Sequence, residues 1–122
     1  MDPDLSPISA PSPATVAGPS PFRTEVRDEG EGTLTVTVAG ELDLVSIGSF
    51  QAAVEAVLAS APRRLVFDLR RCDFVSVRGY SVIGRCSADV DEVVVVAASE
   101  FVARVISLLG FDEVSTVVRE PR

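Results

Sequence analysis

Two short apolar runs constrain what this chain can fold into more than anything else in it. Leu65-Val66-Phe67-Asp68-Leu69 and Val93-Val94-Val95-Val96 are of strand length, and neither alternates cleanly between apolar and polar residues. They read as inner strands of a parallel sheet, where both faces are covered and alternation is lost. Parallel neighbours need a crossover, usually a helix, and the flanking segments have helical spacing. Phe50, Ala53, Val54, Val57 and Leu58 make one stripe, with Ser46 as its expected N-cap and Pro62 as its stop. Val82, Ile83 and Cys86 make a second stripe, in a helix opening at Gly79 and running to about Ala88. Val102, Val105, Ile106 and Leu109 make a third, capped by Ser99 and closed by Gly110.

The start of the domain has a different period. Phe22, Thr24 and Val26 alternate with Arg23, Glu25 and Arg27, and Leu34, Val36 and Val38 alternate with Thr33, Thr35 and Thr37. Period two marks half-buried strands, and the glycines of the Asp28–Gly32 linker suit a hairpin turn. Val114 to Val118 supplies a last strand. The expected order is β-β-α-β-α-β-α-β: an α/β fold with a mixed sheet of about five strands, packed by three or more helices. If every right-handed crossover steps the same way, all three helices cover one face and the other stays open. The threonines of the second strand suit an open face. The four valines do not, so something is expected to cover that strand: the N-terminal arm, a further segment or a second subunit. A weak homodimer through the open face is one such arrangement.

Six of the eight prolines lie in residues 1–21, a stretch rich in Pro, Ser and Ala. Such a segment buries too little apolar surface to offset its ordering entropy and reads as a disordered arm. The domain then covers residues 22–119, with a tail at 120–122. A net charge of −7 argues against binding a nucleic acid backbone. There is no His, the commonest general base and metal ligand, and two Cys alone make no zinc site. No apolar run approaches the roughly 20 residues that span a bilayer, and no secretory leader is apparent. The default expectations are a cytoplasmic protein, with no membrane partner, no metal and no cofactor.

Function is expected at Cys72-Asp73-Phe74-Val75-Ser76-Val77-Arg78-Gly79-Tyr80, where a strand meets a helix N-terminus. This segment resembles the regulatory turn of STAS domains, the family of bacterial anti-sigma factor antagonists. Gly40-Glu41-Leu42-Asp43 is similar to the family's turn before its first helix, Leu65–Leu69 to its central strand, and Ser99–Phe111 to its last core helix and glycine. The resemblance implies the STAS fold and a protein that catalyses no reaction. It would bind an anti-sigma factor of the protein-kinase-like type and release the sigma factor. In the family a serine of this turn is phosphorylated by that partner. Here Phe74 and Gly79 match the pattern, Ser76 stands at the aspartate, Val77 at the phosphoacceptor, Arg78 at a second serine or threonine and Tyr80 at the leucine.

Val77 has no oxygen to phosphorylate. One reading is a turn locked in its binding-competent state, without the charge of −1.5 to −2 that a phosphate adds; the other is drift in a copy with another use. Arg78 places a cation at the positive end of a helix dipole, which costs about 0.3–1 kcal/mol. It reads either as a contact for a partner carboxylate or as a solvated side chain. Ser76 reads first as a helix cap and second as a displaced phosphoacceptor. Asp43 either hydrogen-bonds backbone amides or touches the partner. Val75, Val77 and Tyr80 would supply apolar contact. Cys86 reads as a small core residue, about 11 Å of helix rise from the end that Cys72 borders, too far for an intramolecular bridge. Asp43, Asp68 and Asp73 lack the spacing of a metal loop. Two other classes stay open: a small-molecule or nucleotide sensor with Arg78 near an anion, and a scaffold assembling with similar domains.

Overall fold

The computed structural model describes residues 21–119. All of the expected arm except Pro21, and the tail at 120–122, lie outside the described residues. The chain runs β1 (Arg23–Gly30), β2 (Thr33–Leu42), α1 (Ile47–Ala59), β3 (Arg64–Val75), α2 (Val77–Arg85), β4 (Glu92–Ala97), α3 (Glu100–Leu108) and β5 (Val114–Val118). The strands lie side by side in chain order, with β1 antiparallel to β2 and every later pair parallel. Each crossover therefore steps the same way, and right-handed crossovers set α1, α2 and α3 on one face.

Packing follows that layering. Phe50, Val54 and Val57 of α1, Tyr80 and Ile83 of α2 and Ile106 of α3 share one core with Val36, Val38, Leu65, Phe67, Val93, Val95 and Val114. Phe50 and Phe67 meet with ring centroids 6.0 Å apart, tilted by 55°. Burying each ring contributes about 1.5–3 kcal/mol. Along β3 burial does alternate: Leu65, Phe67 and Leu69 are buried while Val66, Asp68 and Arg70 are half-buried. The covered-on-both-faces reading thus fails for β3; on β4, Val93, Val94 and Val95 are all buried, although the three helices lie on one face only. β1 is an edge strand with one neighbour, so Val26 is 51% exposed rather than half-buried as its alternation suggested.

Local chemistry sets the element ends. Glu31 and Gly32 turn the hairpin with φ of 56° and 79°, the mirror-image turn that matches strand twist. At the end of α3 the Phe111 amide donates to the Ile106 carbonyl and the Gly110 amide to the Ser107 carbonyl, with Gly110 at φ 83°. That pairing is a Schellman motif, and it delivers the Phe111 ring to Gly84, where any Cβ would overlap it. α1 ends at Ala59, with Ala61 in the left-handed region at φ 53°, so the helix stops before Pro62 is reached.

β3 carries two irregularities. Thr37 pairs with Asp68 but Ala39 with Arg71, and Gly40 pairs with Cys72 but Glu41 with Phe74. Each step inserts one extra residue into β3, the signature of a β-bulge.

Candidate functional site

The C-terminal ends of β2 and β3 lie together, with Leu42 in register with Val75. The chain leaves β2 into a turn organised by Asp43. Its Oδ1 accepts from the Val45 amide at 3.0 Å and the Ser46 amide at 3.2 Å, and its carbonyl accepts from the Ile47 amide at 2.9 Å. Asp43 is therefore the residue that caps the entry to α1. Ser46, expected in that role, makes no side-chain cap; its hydroxyl donates to the Glu41 carbonyl at 2.7 Å and accepts from the Asp43 amide at 2.9 Å. The physical reason is position: the helical turn begins one residue after Asp43, so the acceptor needed there is a carboxylate three residues before Ser46.

The second turn follows β3. Ser76 is extended, at φ −71° and ψ 162°, and its Oγ accepts from the Gly79 amide at 3.2 Å, as expected of a cap. α2 opens at Val77, two residues before the expected Gly79, which places Val77, Arg78 and Gly79 at its first three positions. The Ser76 amide donates to the Leu42 carbonyl at 2.8 Å and ties the two turns together. Gly79 is the contact that lets α2 approach: a Cβ there would lie 2.7 Å from Leu42 Cδ2 and 3.0 Å from Val75 Cγ1. Ser99, at the head of α3, is extended as a cap residue is but makes no side-chain cap bond.

What these turns present is apolar. Val77 is 64% exposed and Phe74 51%, while Leu44 and Val45, on the Asp43 turn, are 85% and 92% exposed. Arg78 is exposed beside them and forms no ion pair among the described residues. Val75 and Ser76 are half-buried, and Gly79 and Tyr80 are buried. A groove of about 380 Å³ runs between this turn and α3, lined by Phe74, Val77, Tyr80, Phe101 and Val102 among others. Tyr80 thus faces the groove from below more than it faces solvent. Burial pushes its phenol pKa up.

Leu44, Val45 and Phe101 belong to this surface and were missed from the sequence. A signal did exist for the first two: they follow the capping Asp43 and fall outside the stripe of Phe50, Val54 and Val57. Two apolar residues in a turn, out of phase with the core, are left uncovered by the described residues.

Other chemistry-bearing groups have local duties. Both thiols are free; Cys72 Sγ lies 3.3 Å from the Phe74 carbonyl and Cys86 Sγ 3.3 Å from the Val82 carbonyl. Burial raises the pKa of both, Cys86 to about 11, so neither is a reactive thiolate at neutral pH. Asp68 binds Arg70 through both oxygens, from Nε at 2.9 Å and Nη2 at 2.7 Å, which holds its carboxyl below the ordinary range. Among the described residues no three His, Cys, Asp or Glu gather where they would hold a metal ion, and no helix is long and apolar enough to cross a membrane.

The comparisons with known proteins converge. The model of the STAS domain family matches residues 25–120. An anti-sigma-F factor antagonist, RsfB of Mycobacterium tuberculosis, is 28% identical over 101 residues, which is 80% of this chain and 82% of that protein. The crystal structure of an anti-sigma factor antagonist from Mycobacterium paratuberculosis is 28% identical, covers 82% of this chain and 90% of its own, and superposes with a TM-score of 0.68. The Bacillus cell fate determinant SpoIIAA in its phosphorylated form shares the fold at 13% identity, with a TM-score of 0.62 over 80% of this chain and 93% of its own.

Proposed function

This chain belongs to the STAS domain family, and from that premise we propose that it is an anti-sigma factor antagonist: a cytoplasmic protein that catalyses no reaction and acts by occupying an anti-sigma factor. The observation that carries the reading is the apolar end formed by Leu44, Val45, Phe74 and Val77 on two turns tied by the Ser76–Leu42 bond. Four exposed apolar side chains on rigid turns favour a protein partner over a small polar substrate. The relatives named as anti-sigma factor antagonists point to the class of partner. An interface of ordinary size, roughly 800 Å² on each partner, would take most of this end of the domain. Asp43 and Ser76 fix the two turns, Phe74, Val75 and Val77 with Tyr80 behind them give apolar contact, and Arg78 offers a charge-assisted bond to a carboxylate.

Binding is not switched at the usual turn serine in this reading. Val77 stands at the first position of α2, where a phosphate would sit on the helix N-terminus, and it carries no acceptor oxygen. The neighbouring hydroxyl, on Ser76, is engaged with the Gly79 amide. The partner is an anti-sigma factor of the protein-kinase-like type. Incubation with such a partner and ATP, followed by intact-mass measurement, is expected to give a complex and an unmodified chain. Phosphate on Ser76 or Ser81 would overturn the locked-turn reading.

A further inference from the structure

The face of the sheet opposite the helices holds a concave polar region that the docking end does not use. It has a volume of about 480 Å³ and is lined by Arg23, Glu25, Arg27, Thr37, Ala39, Asp68, Arg70 and Arg71. Four of the chain's eleven arginines meet there against two carboxylates, on a protein whose net charge is −7. The volume lies within the roughly 300–1,000 Å³ of small-molecule sites.

The backbone has been bent to make this arrangement. Regular alternation would send Asp68 and Arg70 to the open face and Arg71 to the helix-covered face. The first bulge of β3 removes that alternation: Asp68 is in register with Thr37, and Arg71, three residues on, with Ala39, two residues on. Arg70 and Arg71 therefore both reach the open face, and alternation resumes in the opposite phase, with Cys72 packed against the core. Across the sheet Arg23 pairs with the same Ala39. Ala39 is the smallest side chain of the lining, so Arg23 and Arg71 flank a floor with no bulk between them. Neither makes an ion pair or side-chain hydrogen bond among the described residues. Arg27 pairs with Glu29 at 3.8 Å, and Asp68 is held at two points by Arg70 with Arg71 as a further positive neighbour, which leaves Glu25 as the unpaired carboxylate of the lining among the described residues.

We propose that this groove binds a small multivalent oxyanion of the phosphate type, held over Ala39 between Arg23 and Arg71. Guanidinium groups match tetrahedral oxyanions with paired N–H donors. The lining contains no aromatic ring on which a base would stack, so the recognised chemistry is the oxyanion itself and not a nucleobase. Multivalency is needed because a single negative charge would gain little over the Glu25 carboxylate nearby.

The test is a titration of the full ¹⁵N-labelled chain with sodium pyrophosphate, and separately with inorganic phosphate, against sodium chloride at matched ionic strength. The expected result is saturable shifts at the amides of Arg23, Ala39 and Arg71 with pyrophosphate, beyond anything chloride produces. Arg71→Gln and Arg23→Gln are each expected to weaken binding by about tenfold or more, the scale of one charge-assisted hydrogen bond. Arg85→Gln, on α2 and outside the groove, is expected to leave it unchanged. Shifts no larger than those of chloride, or binding that survives both groove substitutions, would overturn the proposal. The groove lies away from Val77, so Arg71→Gln is also expected to leave affinity for the anti-sigma factor unchanged, and the two readings fail separately.

Discussion

At Gly79 one hydrogen decides how closely α2 sits on β2. A methyl group there would lie 2.7 Å from Leu42 Cδ2, inside the core and not at the free end of a solvated side chain. Gly79→Ala is therefore expected to destabilise the fold by about 1–3 kcal/mol, the usual range for overpacking, despite alanine's better helix propensity. Urea unfolding checks this, and an unchanged midpoint would mean that the two turns shift freely. Asp43→Ala removes the acceptor for two amides and is expected to cost about 1 kcal/mol. Measured beside anti-sigma affinity, it separates a capping role from a contact role. Asp68 gives a pH dependence. Its folded pKa is depressed, first by the Arg70 side-chain bond, so its contribution is present above the ordinary carboxylate range. That contribution is lost as pH falls through the folded pKa. Asp68→Asn is expected to flatten the acid limb of the stability profile, and an unaltered acid limb would show that the pair is energetically silent.

Element by element, the sequence was most legible where a period and a terminator agreed. The stripe of α3 and Gly110 at its end fixed that helix, and the Schellman bonds at Gly110 and Phe111 show why. Legibility failed where two candidates competed for one duty. Ser46 stood nearest the apolar stripe of α1, but Asp43 holds the cap because the helix is preceded by a turn that no periodicity marks. Gly79, expected to open α2, is its third residue and a close-approach position against Leu42 and Val75. The bulges of β3 left no trace in composition, since an extra residue in a strand changes register and not residue type. Ala61 was equally silent. It takes φ 53°, a conformation that costs a residue with a Cβ about 1–2 kcal/mol. Ala61→Gly is expected to raise stability by up to about 1 kcal/mol after glycine's larger unfolded-state entropy is subtracted. A lower melting temperature would contradict that account of the α1 terminus.

For the whole molecule, the order of elements along the chain followed from its chemistry: alternation for the β1–β2 hairpin and apolar runs for the inner strands. Strand order was only a condition on that reading, and the structure meets it, with every crossover stepping to the next strand the same way. Which surfaces would be left bare did not follow, because exposure depends on what other elements reach. Leu44, Val45 and Phe101 become a surface only once the two turns and α3 are placed side by side. That surface is the centre of the functional account, and Val77 is the residue at which to test it. Val77 is 64% exposed, so a carboxylate there points to water in the free protein at little cost. In a dry interface the same charge is desolvated without a partner, at a cost of several kcal/mol. A loss of about 4 kcal/mol is on the order of a thousandfold in affinity. Arg78, one residue away, would pair with part of the new charge, so the double substitution Val77→Asp with Arg78→Ala is expected to bind more weakly still. Calorimetric titration of the anti-sigma factor with the parent chain and Val77→Asp, each shown folded by its urea midpoint, is the direct measurement. The account predicts that Val77→Asp keeps its stability and loses on the order of a thousandfold in affinity; equal binding by parent and variant would contradict it.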